Sequence, residues 1–210
     1  MTYTVKEVFY TLQGEGANAG RAAVFCRFVG CNLWSGREQH RASAICQFCD
    51  TDFLGTDGLN GGKHNDALSL AELIEASWGG DPLNKLVVFT GGEPLLQLNN
   101  ELIQAVRGNG FEIAVETNGT IPVPVGIDWV CVSPKANANL IVKHGDELKL
   151  VYPQENLDPA TLTNLGFKHF FLQPMDGPEA AENTTLTVQY CLDHPHWCLT
   201  LQSHKIIGLP

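Results

Sequence analysis

Three of the seven cysteines are spaced for metal chemistry. Fourteen residues separate Cys31 from Cys46, and two separate Cys46 from Cys49. A C-x-x-C turn aims both side chains the same way, so Cys46 and Cys49 can share one metal or one cluster. Three thiolates leave a four-iron cluster one open iron, or leave zinc one open position. Spacing alone does not choose between them. No histidine has good finger spacing, yet His40 and His64 keep zinc open, and Cys46 and Cys49 could also be ordinary core residues. The remaining Cys26, Cys131, Cys191 and Cys198 lie in or beside apolar stretches, where a thiol is expected to act as a small buried hydrophobe. An odd cysteine count without a secretion signal argues against a disulfide framework.

The elements that must hold these residues alternate. A β segment over 4–10 precedes a strand over 22–28, and a cysteine-bearing loop runs to about His64. Ser69 is expected to open a helix, with Glu72 three residues later completing a capping box. Strands are expected over 86–90, 112–116, 128–133, 147–151, 169–173 and 197–202, and helices over 94–107, 159–165 and 178–192. Buried strands alternating with amphipathic helices imply a parallel sheet with right-handed crossovers. The expected fold is α/β, a partial, incomplete TIM-like barrel of about six parallel strands with flanking helices; an open flat sheet is the alternative.

In either architecture chemistry collects just after the carboxyl ends of the strands. The unusual residues fall there: Cys31 after one strand, Gly91-Gly92-Glu93-Pro94 after the next, then Thr117-Asn118-Gly119. Ser133-Pro134-Lys135 and Gln173-Pro174-Met175-Asp176 follow later strands. Five such ends imply one shared mouth.

A chain of 210 residues fits one domain, here 1–210 with a polar insert at about 36–45. A net charge of −10 argues against a nucleic-acid backbone as partner. Residues 1–10 hold no long apolar run and no stretch approaches the ~20 apolar residues of a membrane span, so neither a signal peptide nor a membrane is expected and the cytoplasm is the expected location.

Cys46-Gln47-Phe48-Cys49, followed some forty residues on by Gly91-Gly92-Glu93-Pro94, resembles the radical S-adenosylmethionine superfamily. Its cluster loop ends C-x-aromatic-C, and its second strand ends in a G-G-E-P element. Within it, Leu12-Gln13-Gly14-Glu15-Gly16, Arg27-Phe28-Val29-Gly30-Cys31-Asn32-Leu33, Cys49-Asp50-Thr51 and Glu116-Thr117-Asn118-Gly119 look like the 7-carboxy-7-deazaguanine synthase (QueE) family, over roughly residues 10–173. One departure is visible. The common loop has three residues between its first two cysteines, which puts Ser35 where the second ligand belongs. The insert delays that ligand to Cys46, and such an insertion raises closure entropy only slowly.

The resemblance implies a [4Fe–4S] cluster on Cys31, Cys46 and Cys49, reduced by an electron donor such as flavodoxin or ferredoxin. It implies S-adenosylmethionine held by Phe48, Cys49 and Asp50 beside the cluster and by Gly92 at its amino-acid end. Glu116 and Asn118 would bond ribose hydroxyls, and Ser133, Pro134 and Lys135 the carboxylate or ribose. Gln173, Pro174, Met175 and Asp176 would meet adenine. The implied reaction contracts 6-carboxy-tetrahydropterin to 7-carboxy-7-deazaguanine with loss of ammonia, towards queuosine-type bases, in a homodimer assisted by magnesium near Thr51.

Substrate contacts are expected from Leu12, Gln13, Gly14, Glu15, Gly16 and Thr90, with Arg27 gripping a carboxylate in a bidentate way. At the chain end, Ile206, Ile207 and Leu209 are expected to be buried. The strand over 197–202 would deliver His204 and the Pro210 carboxylate to the mouth, where a guanidine-like pterin edge wants an acceptor; a tail packed on the outside or against a second subunit is the alternative. Two other readings share the cysteines. An activating enzyme acting on a partner protein would not need the Gln13–Gly16 element, and a zinc module without catalysis would be colourless.

Overall fold

In the computed structural model, which describes residues 1–210, the strands join in one nine-stranded sheet. They are β1 (Tyr3–Leu12), β2 (Ala22–Phe28), β3 (Gly62–His64), β4 (Leu86–Gly91), β5 (Glu112–Thr117), β6 (Trp129–Val132), β7 (His144–Tyr152), β8 (Gly166–Pro174) and β9 (Cys198–Leu199). Their spatial order is β3-β1-β2-β4-β5-β6-β7-β8-β9. From β2 through β9 every pairing is parallel, whereas β1 lies antiparallel to both β2 and β3. β3 and β9 do not meet, so the barrel is open on that side. Four helices accompany the sheet: α1 (Ala67–Ser77), α2 (Asn100–Gly108), α3 (Ala180–Asp193) and the short α4 (Ser203–Ile207). None is long and apolar enough to cross a membrane.

The strand period of two sorts the residues onto two faces. On the helix-covered face Val24, Cys26 and Phe28 of β2, Val87 and Phe89 of β4, and Ile113 and Val115 of β5 pack with Leu70 and Ile74 of α1 and Leu102, Ile103 and Val106 of α2. A second core gathers Val132, Leu148, Leu150, Phe170, Leu172 and Trp197. The opposite face carries apolar residues low in the barrel, Ala23, Leu86, Val88 and Ala114. Higher up, the same alternation brings Arg27, Thr90, Glu116, Lys149 and Gln173 to a common opening. Polar residues inside a sheet are costly unless paired or used, so the alternation itself locates the site.

Several expectations need correction. Asp66, not Ser69, caps α1: its carboxylate accepts the Ser69 N–H at 2.8 Å, and no Ser69–Glu72 box forms. Pro94 begins a single 3₁₀ turn over Pro94–Leu96, and α2 starts only after Asn99, whose side chain accepts the Leu102 N–H. Residues 159–165 hold only the 3₁₀ turn Pro159–Leu162. The last strand is two residues long. Just beyond it Thr200 N still donates to Leu172 O at 2.9 Å, while the Thr200 hydroxyl accepts the Gly16 N–H at 2.7 Å. Cys198 on that outer edge is exposed and Cys191 only half-buried, unlike Cys26 and Cys131, which are buried. Ile206 and Ile207 are 74% and 57% exposed, and Leu209 is exposed too. α4 is tied to the rim loops by Ser203, which bonds Gly14, and Lys205, which bonds Asp50 and Asp176, while Ile206 and Ile207 stay outward.

Candidate active site

A cleft of about 420 Å³ opens at the carboxyl ends of the parallel strands, and Cys31, Cys46 and Cys49 line it together. Cys31 follows β2, whereas Cys46 and Cys49 sit on the loop beyond the insert. The Cys46 thiol hydrogen-bonds Cys49, which holds Cys49 below the ordinary thiol value and drives Cys46 up. Cys31 is close enough to feel Cys49, and burial raises it. No three His, Cys, Asp or Glu side chains converge to the spacing of a single-ion site. Three thiols lining one cavity suit an iron–sulfur cluster, which cysteine thiolates hold. Ser35 is outside the cleft, bonded to His40 Nδ1 at 2.8 Å.

The insert braces this loop. It forms the 3₁₀ segment Glu38–Ser43. Arg41 donates to the carbonyl oxygens of Gln47 at 2.9 Å and Cys49 at 3.1 Å, with its guanidinium 4.1 Å over the buried Trp34 ring. The Gly91-Gly92 turn lies against the Cys31 loop. A Cβ at Gly92 would meet the Gly30 carbonyl and come within 2.7 Å of Cys31 Cβ, so only glycine fits. Glu93 points away from the cleft, fully buried. It accepts from Leu95 N at 3.0 Å, Thr117 Oγ1 at 2.8 Å and Asn118 N at 2.8 Å. The G-G-E-P turn thereby ties the end of β4 to the end of β5.

Around the rim, Phe48, Asp50, Thr51, Asn118 and Ser133 line the cleft with the β8 turn Gln173–Asp176. Lys135 lines it too, held on Ser133 at 2.6 Å and 5.9 Å over the Phe48 ring. The buried Gln173 Oε1 has no hydrogen-bond partner. A buried orphan acceptor beside a cleft suits a ligand that donates to it. Pro134 is not on the cleft; it is buried, and its carbonyl accepts from Gln154 Nε2 at 3.2 Å. Thr51 has no free carboxylate beside it, since Asp52 is paired with Lys6 and Asp50 with Lys205.

On the other wall, Leu12, Gln13, Gly14 and Glu15 line the cleft with Thr90 and Arg27. Arg27 Nε is engaged by Glu7 at 2.8 Å, which fixes the guanidinium plane and leaves its terminal nitrogens for a ligand. Gly16 is off the cleft: its φ is +66°, and a Cβ there would strike the Glu147 carboxylate. Its part is to turn the loop. Glu147 accepts the Ala17 N–H at 3.0 Å, and burial keeps its carboxyl above the usual range.

Lys149, which sequence reading passed over, pairs with Glu15 and lies 3.4 Å from Glu116 Oε1. Burial alone would raise Glu15, but the Lys149 ammonium outweighs it and holds the carboxyl low. Burial likewise opposes the Lys149 charge, yet the surrounding carboxylates raise it well above the ordinary lysine value. A signal was present: a lysine between Leu148 and Leu150, in the middle of a buried strand, has no place unless something pairs it.

The chain end closes over the cleft. His204 and Pro210 line it, His204 packing against Gly14, and Thr11 Oγ1 donates to the Pro210 carbonyl oxygen at 3.4 Å. Gln202 reaches Glu15 at 3.0 Å, Ser203 Oγ donates to Gly14 O at 2.7 Å, and Lys205 bridges Asp50 and Asp176 at 2.7 and 2.5 Å. Gln202 and Lys205, also missed, follow from no motif; their places depend on where the tail docks.

No protein-family model matches the chain. It is 64% identical over 210 residues to a 7-carboxy-7-deazaguanine synthase of Bordetella pertussis, and 62% identical over 210 residues to one of Caulobacter vibrioides, with 100% of each chain covered. It also resembles the crystal structure of QueE from Escherichia coli, with a TM-score of 0.71 and 27% identity over 97% of this chain and 95% of that one. With three thiols on a cleft whose walls carry the Gln13–Gly14–Glu15 loop, and more than 60% identity over the full length of both relatives, the chain belongs to the 7-carboxy-7-deazaguanine synthase family.

Proposed function

We infer that the chain is a radical S-adenosylmethionine lyase that converts 6-carboxy-5,6,7,8-tetrahydropterin to 7-carboxy-7-deazaguanine and ammonia. The observation that carries it is the meeting, in one cleft, of the three-thiol loop with Arg27, Gln13 and Glu15. Substrate less ammonia equals product, so no net electrons are consumed, and a donor such as flavodoxin or ferredoxin serves only to prime the cluster. When bound, the [4Fe–4S] cluster and S-adenosylmethionine supply the radical that takes hydrogen from the carbon bearing the carboxylate.

The chain's own residues bind and orient. Cys31, Cys46 and Cys49 hold the cluster. Phe48, Asp50 and Gly92 flank the adenosylmethionine, Glu116, Asn118, Ser133 and Lys135 take its ribose and carboxylate, and Gln173–Asp176 its adenine, where the orphan Gln173 Oε1 supports a donor from the base. Arg27 receives the substrate carboxylate, Thr90 stands beside it, and Gln13, Glu15, His204 and the Pro210 end read the donor-rich pterin edge. Lengthening the chain beyond Pro210 should weaken pterin binding and leave the cluster intact. Magnesium belongs to the same reading: Thr51 gives one oxygen, and the substrate and waters give the rest, since magnesium keeps several waters. Thr51→Ala should lose magnesium stimulation of turnover.

The reading extends to one domain over 1–210, a cytoplasmic location and a homodimer. The exposed Leu192, Leu199, Leu201, Ile206 and Ile207 on α3, the β9 edge and α4 support the last. The deciding experiment is anaerobic reconstitution, followed by incubation with the pterin, S-adenosylmethionine and dithionite. Brown protein that releases ammonia and 7-carboxy-7-deazaguanine is expected. A brown protein inert to the pterin would point to the activating-enzyme reading, and a colourless zinc protein would end both.

A further inference from the structure

Lys149 holds together two carboxylates of the cleft that come from different elements. Glu15 comes from the loop after β1, on the pterin side; Glu116 ends β5, on the ribose side. The lysine pairs with the first and stands 3.4 Å from the second, and its side chain is 5% exposed. Gln13 closes the ring: its Nε2 donates to Glu116 Oε1 at 2.9 Å and its Oε1 accepts the Glu15 N–H at 3.1 Å. The other ionisable groups bearing on it are Glu147 two residues back on β7, Cys131 on β6, and Lys135 of like charge beyond β6, while His204 of α4 acts on Glu15. No second cation pairs with Glu15 or Glu116. Water cannot take over the role of a group this buried.

We propose that Lys149 is a positioning residue that couples the two halves of the cleft, so that seating a pterin on Glu15 sets Glu116 for the adenosylmethionine ribose, and the reverse. The inference rests on the function proposed above and adds a thermodynamic link to it. Such a link is reciprocal: whatever factor the pterin adds to adenosylmethionine affinity, adenosylmethionine adds to pterin affinity. Its cause is rigidity. A free Glu116 has many rotamers, whereas one held by Lys149 and Gln13 shares its position with the substrate loop.

The test titrates S-adenosylmethionine into the cluster-loaded, unreduced protein, with and without saturating 6-carboxy-tetrahydropterin. The parent should bind adenosylmethionine at least about fivefold more tightly with the pterin present. In Lys149→Met, which keeps length and loses charge, the ratio should fall to near one, while Lys149→Arg retains most of it. Under turnover, Lys149→Met should also release 5′-deoxyadenosine without product. If Lys149→Met fails to fold or to take up the cluster, Glu116→Gln carries the same test, because the ratio must fall there as well. An undiminished ratio in either folded variant overturns the proposal. Pterin binding to the parent without any coupling overturns it alone, whereas a parent that binds no pterin overturns the substrate reading as well.

Discussion

The carboxylate of Glu93 accepts the backbone N–H of Asn118 at 2.8 Å, from a position with no exposure to solvent. One side chain thus sets the spacing between two strand ends that both line the cleft. Through its second oxygen it also holds Thr117 Oγ1 and Leu95 N. Glutamine would offer one acceptor and turn an amide N–H₂ towards a backbone donor. Glu93→Gln should therefore destabilise the fold by about 1–3 kcal/mol, the cost of a buried group left unsatisfied. Urea unfolding of the metal-free protein measures this, and an unshifted midpoint would show the tie to be dispensable.

The thiols should separate into two classes. Alanine at Cys31, Cys46 or Cys49 should abolish the visible absorption of the reconstituted protein while leaving the unfolding midpoint of the metal-free chain nearly unchanged. Cys26→Ala should do the opposite and cost stability, since Cys26 is fully buried in the main core. Cys198→Ser, on the exposed edge, should change neither. A cluster surviving the loss of Cys46 would return attention to Ser35.

Arg41 reaches from the insert to the carbonyls of Gln47 and Cys49 and covers Trp34. Arg41→Ala should leave overall stability almost unaltered but shorten the lifetime of the cluster absorbance under a chelator several-fold, because the C-x-x-C loop loses its brace. Lys at this position should rescue little, as it cannot serve two carbonyls and stack on the indole together. Equal lifetimes in parent and Arg41→Ala would make the insert a passive loop.

The Lys205 clamp has a calculable pH response. Burial opposes ionisation of Asp50, but the Lys205 hydrogen bond wins, and in Asp176 the Lys205 hydrogen bond is the main cause, so both carboxyls titrate below their ordinary value. A depressed folded pKa adds stability above the ordinary value, roughly pH 4, which is lost as pH falls through the depressed values. Protection of 203–210 against hydrogen exchange, corrected for intrinsic rate, should be flat from pH 5 to 8 and fall in stronger acid. Half-exposed pairs contribute about 0–1 kcal/mol each, so Lys205→Met, which removes two, should raise exchange by no more than about thirtyfold. Protection that stays flat into strong acid would show that the Lys205 pairs do not hold the tail.

The sheet and its mouth were legible because strand ends carry glycine, proline and polar clusters that interior strands avoid. Cys31, Gly92, Asn118 and Gln173 all lie where that argument puts them. What escaped was governed by partners distant in the chain. Lys149 reads as an error in an apolar strand until Glu15 and Glu116 are seen beside it. Asp66 outcompeted Ser69 as the α1 cap because caps depend on where the first turn begins, and an Asp before Ala67 begins it earlier. Ile206 and Ile207 misled through composition: apolar residues favour burial, but α4 docks by Gln202, Ser203 and Lys205, and these polar anchors decide which side faces in.

Those anchors set the order of events in folding. The contacts of Gln202 with Glu15 and of Ser203 with Gly14 join residues 187 and 189 apart in sequence, among the most widely separated in the molecule. Neighbouring strand pairs such as β7 and β8 close far shorter loops and can form first, whereas the tail must search across nearly the whole chain. In refolding, far-ultraviolet dichroism should recover before ligand binding does. A refolding chain can therefore hold a nearly finished sheet while its mouth is still unroofed.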